Sequence, residues 1–183
     1  FYYHKTKENV LFTKAKLVYP VSLSGNPEEN LFRKMNKRFS KFISKSNLSS
    51  KKKIYISRQH AEFRYLKNEH KLISFLNKKK FKNYHFEKIS FNQQLEILKK
   101  TNTIVGPHGA GLINMVWLKP GSNIIEIRGD DDNWNNCYFS AASALRHNYK
   151  YILANTTRSI LFKHKIKNYS FNLRGLTDIS EIF

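Results

Sequence analysis

Between residues 53 and 153 the chain alternates β-prone runs with segments of helical period, and this alternation limits the fold more than any single motif. Lys53-Ile54-Tyr55-Ile56-Ser57 reads as a strand, and residues 84–89, 103–105, 123–127 and 149–153 read as four more. Between them lie helical patterns. Asn68 is placed to cap a helix running to about Lys79, with Leu72, Ile73 and Leu76 on its buried face. Ser90-Phe91-Asn92-Gln93 has the spacing of a capping box and leads into Leu95, Ile97 and Leu98. A helix is expected after His108 and another over 136–146. Strands and helices in strict alternation bury their apolar faces together as a parallel sheet with helices against it. The expected fold is α/β and Rossmann-like, a mainly parallel sheet with helices on both faces, over residues 51–183. Residues 1–50 read as an N-terminal extension or lobe junction, with strands over 10–21 and a helix over 28–45. The final stretch, 159–183, reads as a strand and a terminal helical turn.

The third strand runs into Gly106-Pro107-His108-Gly109-Ala110-Gly111-Leu112, a glycine-rich turn that opens an apolar segment. The first N–H groups of a helix lack intrahelical partners and carry partial positive charge. Glycine lets an anion approach that backbone closely. The turn is therefore either a phosphate site or a tight packing turn, since its spacing matches neither the dinucleotide fingerprint nor the P-loop.

Arg58 directly follows the first strand, and Arg64, Asn68 and Glu69 come soon after. In open α/β sheets ligands gather beyond the carboxyl ends of the strands, so the arginines and the glycine turn share one edge. Guanidinium groups suit phosphate through their planar fork. Surface solvation or an ion pair with Glu62 or Glu69 is the other reading. Glu126 stands in an otherwise apolar strand, where it either accepts from ribose hydroxyls or pairs with Arg128 or a lysine.

The formal net charge of the 183 residues is +20, which fits nucleic acid, an anionic membrane surface or phosphorylated substrates. An A/T-biased coding sequence would also enrich lysine. Cys137 is the lone cysteine, so no intrachain disulfide forms; a cytoplasmic location, with peripheral contact to an anionic membrane, is the expectation. The histidines are scattered and no metal ligand set is assigned. Asp130-Asp131-Asp132 reads as a solvated loop, with Mg²⁺ as the minor alternative.

Taken in order, the strand with Arg58, then Arg64, Asn68-Glu69, Ser90-Phe91 with Gln93-Gln94, the run Ile104 to Asn114, Pro120-Gly121 and Ile124-Ile125-Glu126-Ile127 resemble glycosyltransferase family 61. The resemblance spans about Lys53 to Tyr151. It implies the nucleotide-sugar-binding lobe of a two-lobed GT-B enzyme that inverts the anomeric centre, generally without a bound metal. Family members build bacterial capsule or lipopolysaccharide polysaccharides or attach O-linked sugars in eukaryotes. The implied partners are a nucleotide-sugar, a UDP-sugar foremost, and a glycan, lipid-linked or protein acceptor. The implied donor-binding residues are Arg58, Arg64, Asn68, Gly109, Ala110, Gly111, Leu112, Asn114 and Glu126, with His108 and Glu69 as the catalytic candidates. The chain has room for one such lobe. A basic nucleic-acid-binding module and a non-catalytic lobe that binds a glycan or partner are the alternatives.

Overall fold

The structure, a computed structural model, describes residues 27–43, 51–61, 64–131, 136–158 and 167–170. The expected strands at 10–21 and the terminal helical turn lie outside these residues. Strands β1 (Lys52–Ile56), β2 (Phe81–Tyr84), β3 (Thr101–Pro107), β4 (Asn123–Gly129) and β5 (Asn148–Arg158) form a parallel sheet in the order β2-β1-β3-β4-β5. Strand β6 (Lys167–Ser170) adds antiparallel to β5. The strand order reverses between β1 and β3. That switch point opens a crevice above the carboxyl ends of these two strands.

Alternation along the strands explains the two cores. Tyr55, Val105, Ile125, Ile127 and Ile152 pack with Leu72 and Leu76 of helix α2 (Glu69–Lys78) on one face. Ile54, Ile56, Ile104 and Ile124 face the other way, into Leu112, Met115, Leu118, Ala141 and Ala142. Helices α3 (Phe91–Leu98) and α4 (Cys137–Ala144) and a 3₁₀ helix (Ala110–Trp117) cover this second face. Both faces of central strands are thus buried, as a parallel sheet requires. Each fully buried Leu or Ile contributes about 1.5–3 kcal/mol.

Local chemistry sets several boundaries. The capping box at α3 forms: the Ser90 amide donates to Gln93 Oε1 at 2.9 Å, and the Gln93 amide to Ser90 Oγ. Helix α1 (Glu29–Ile43) docks onto the second face by capping other helices. Asn36 Nδ2 donates to the carbonyls of Val116 and Leu118 at 2.7 and 3.0 Å, and Arg33 Nε donates to that of Ala144. These are carbonyls that a helix end leaves without an internal partner.

Two sequence expectations shift. The second strand is Phe81–Tyr84 rather than 84–89, and Phe86–Lys88 forms a 3₁₀ turn. Lys80 takes the left-handed conformation (φ 65°) that ends α2, so Phe81 enters the sheet at once opposite Lys53. Phe86, whose apolar character suggested a strand, is buried in the second core. The segment after Gly109 is 3₁₀ rather than α-helical. Among the described residues no helix is long and apolar enough to cross a membrane.

His147 is buried, and its Nε2 donates to the Met115 carbonyl at 3.0 Å. Burial pushes its pKa below the ordinary 6.5, although the Met115 bond opposes the shift. The unfolded chain therefore takes up this proton at a higher pH than the folded one. Stability should be fully present above the unfolded pKa and fall as pH drops through 6.5 towards the folded value. In urea titrations across that window, His147→Gln, which keeps a donor for Met115, should lose less stability on acidification than the parent.

Candidate functional site

The crevice between β1 and β3 is built by two loops. After β1 the chain turns tightly, with the Ala61 amide donating to the Arg58 carbonyl at 2.9 Å. After β3 the His108 amide donates to the Ile127 carbonyl at 2.8 Å, which extends the pairing with β4 by one step and aims the glycine turn upward. The Arg58 guanidinium lies directly over Gly109. A Cβ on Gly109 would come within 2.7 Å of Arg58 Cζ, so the glycine makes room for the arginine. Gly111 has a different reason: a Cβ there would stand 3.0 Å from Ile56 Cγ2, so it lets the 3₁₀ helix lie against β1. Gly109 thus makes room for a guanidinium and Gly111 for the packing of the 3₁₀ helix on β1.

Glu126 is fully buried in β4, in register with Gly106. One carboxylate oxygen bonds His108 Nδ1 and the other accepts from the Tyr149 hydroxyl, both at short range. Arg128 Nε stands 4.0 Å from Oε1. Burying a carboxylate is costly unless it is paired and hydrogen-bonded, and this one has all three partners. Its oxygens are turned inward to His108 and Tyr149. With Nδ1 committed to the carboxylate, the orientation of the His108 ring is fixed.

Tyr138, at the start of α4, meets His108 edge to face with ring centroids 5.0 Å apart. Burial, with Cys137 and Glu126 close by, pushes the Tyr138 hydroxyl up to about 12, while Arg58 and Arg64 pull it down. Both arginines are therefore in electrostatic reach of the ring that packs on His108. Arg64 is exposed and has φ 59° in the β1–α2 loop. Lys80 and Arg146 share that conformation, but each ends a helix. A left-handed arginine within a loop at a ligand edge is strained backbone of the kind found at binding sites.

Other expected residues are drawn elsewhere. Glu69 is buried at the first turn of α2 and accepts from Tyr55 Oη at 2.6 Å and from Ser57 Oγ at 2.9 Å. Tyr55 faces the first core, so this carboxylate anchors α2 to β1 on the sheet face opposite Glu126. Asn68 stands at the α2 N-cap without a side-chain capping bond. The Leu112 side chain is in the second core, and Asn114 Nδ2 donates back to the Gly111 carbonyl at 3.0 Å. Ala110 is exposed beside Gly109. Asp130 accepts from the Thr156 amide at 3.1 Å and ties β4 to β5; Asp132 lies outside the described residues.

Tyr138 and Tyr149 were missed by sequence reasoning. Tyr149 reads in the sequence only as the start of a strand, and nothing local to it indicates Glu126. A set able to hold a divalent metal also emerges from tertiary proximity: ligand atoms of His60, His85 and Glu87 lie within 4.8 Å of one another. There, Lys88 Nζ stands 2.6 Å from His60 Nε2.

Comparison with known proteins bears on this geometry. A sequence model described as Glycosyltransferase 61 matches residues 2–125. The EGF domain-specific O-linked N-acetylglucosamine transferase of Drosophila melanogaster is 32% identical over 87 residues, 46% of this chain and 16% of that protein. The chain thus spans a small part of that relative's length.

The Glu126 network makes a stability prediction. Tyr149→Phe removes one donor from a fully buried carboxylate and should destabilise the fold by about 1–3 kcal/mol. Chemical denaturation of the two proteins in parallel measures it.

Proposed function

Because the chain belongs to glycosyltransferase family 61, we propose that it is the donor-binding lobe of an inverting transferase that moves a sugar from a nucleotide-sugar to an acceptor hydroxyl. The observation that carries this reading is the Arg58 guanidinium seated over Gly109 at the β1/β3 switch point, beside the His108–Glu126 pair. Arg58, packed on Gly109, and the exposed Arg64 offer positive charge to a diphosphate, and the amides of the turn from Gly109 to Gly111 add donors. As the glycosidic bond breaks, negative charge grows on the departing nucleoside diphosphate. Groups already aimed at it lower the barrier without having to reorganise.

His108 has a defined part in this scheme. Glu126 holds Nδ1 and sets the ring orientation, and Tyr149 and Arg128 hold Glu126. Nε2 then either donates to the phosphate or takes the proton of the attacking hydroxyl. No metal takes part in this scheme. The fly relative is an N-acetylglucosamine transferase, and with a UDP-sugar as the proposed donor class UDP-N-acetylglucosamine is the first donor to test.

Calorimetry with UDP-sugars on the purified chain tests the arrangement. Arg58→Ala should weaken binding by about 1.5–3 kcal/mol. Gly109→Ala should weaken it comparably by pushing the guanidinium aside. The two losses should not add, since Gly109→Ala costs nothing more once Arg58 is gone. Full additivity, or unchanged affinity in folded variants, overturns the placement of the diphosphate.

His108→Ala separates the two roles of Nε2. If transfer collapses while donor affinity holds, His108 acts on the acceptor proton or in the transition state. If affinity falls in parallel, it binds phosphate.

A further inference from the structure

The sheet has a second edge, and its chemistry is unlike that of the crevice. The connections that feed the amino ends of β2, β1, β3 and β4 are rich in lysine. Positions 51–53 and 78–80 are lysine throughout, positions 99 and 100 are lysine, and Lys119 precedes β4. These four strands are consecutive neighbours in the sheet. Their register sets Lys53 opposite Phe81 and Thr103, and Thr103 opposite Asn123, so the lysines stand at nearly one level. With strands about 4.8 Å apart, this basic band is about 15 Å wide. Its charges lie within a Debye length or two of one another, so they act as one field.

Acidic residues are distributed the other way. Glu69, Glu87, Glu126 and Asp130 lie at or towards the carboxyl edge. Glu96 stands near the basic band, where it pairs with Lys99 at 2.5 Å, and Glu28 and Glu29 open helix α1. Compositional bias towards lysine would scatter it over all exposed loops. Here nine of the eighteen lysines among the described residues lie at the edge opposite the crevice.

We propose that this amino-terminal edge is a docking face for an anionic membrane surface. The described lysines of the face stand at the starts of neighbouring strands, in register across the sheet. Its cations are lysines, and the exposed aromatic residues of the described chain, Phe91, Phe139 and Tyr151, lie away from these loops. Single-stranded nucleic acid is held by a basic groove with aromatic platforms, whereas a lipid headgroup layer needs only a field of the right sign. Because the face is opposite the crevice, docking leaves the β1/β3 crevice open to soluble ligands. The proposal does not depend on which ligand the crevice takes.

Co-sedimentation of the purified chain with phosphatidylcholine vesicles, with and without phosphatidylglycerol, tests the face. Binding should require the anionic lipid and fade as salt rises. Changing all three lysines at 78–80 to glutamine should lower partitioning by about tenfold or more. Lys67→Gln, Lys71→Gln and Lys88→Gln combined make the same change in net charge elsewhere and should lower it far less. Glutamine at positions 99 and 100 gives a second variant of the face should the first fail to fold. Equal losses in the face and control variants overturn the proposal, as does binding to neutral vesicles alone. Salt-resistant binding to a single-stranded RNA that displaces the vesicles also overturns it and assigns the face to nucleic acid.

Discussion

A carboxylate buried in the middle of the sheet organises the upper half of this molecule. Glu126 has no contact with solvent, so its charge must be met inside the protein. Three elements supply what it needs: His108 from the turn after β3, Tyr149 from β5 and Arg128 from its own strand. Removing any one partner would leave part of a buried charge unmet. The turn, β4 and β5 are thereby held in one relative arrangement, and the imidazole at the crevice is held with them. Burial and the Glu126 charge also push the Tyr149 hydroxyl well above its ordinary range, which keeps it protonated as the donor.

The crevice follows from topology as much as from side chains. Strand order reverses between β1 and β3, so the connections that leave them diverge to opposite faces. The loop after β1 delivers Arg58, and the turn after β3 delivers Gly109 beneath it. A side chain at Gly109 would displace the guanidinium. A side chain at Gly111 would push the 3₁₀ helix off Ile56. One glycine thus serves the site and the other serves the packing that places it. Glu69 does related work on the opposite face, where its bonds to Tyr55 and Ser57 fasten α2 to the end of β1 just before Arg58.

The two edges of the sheet divide the charge of the chain. The carboxyl edge combines arginines with buried or bonded carboxylates, a balance suited to a defined ligand. The amino edge carries lysines at the starts of four neighbouring strands. A net charge of +20 reads as one bulk property in the sequence, yet the fold places arginines and lysines at two edges of different geometry.

Much of this architecture was already determined by the sequence. The strand–helix alternation specifies a parallel sheet, because only that arrangement buries each apolar face. The capping box at Ser90 and the glycine turn after β3 are local signals, and each forms where its spacing says. The order of Arg58, Arg64 and the turn places them at one sheet edge. What the sequence could not decide depends on contacts between distant residues. The edge of β2 moved because Lys80 ends α2 and Phe81 finds its partner on β1. Glu126 could have faced a ribose or a cation on local grounds. Its partners are set by where β5 and the β3 turn lie in three dimensions, 23 and 18 residues away along the chain. The same is true of Glu69, whose bonds depend on α2 packing across β1. Backbone preference and period act over a few residues and are legible in one dimension. Meeting a buried charge requires groups brought together from across the chain, and only the tertiary structure settles which they are.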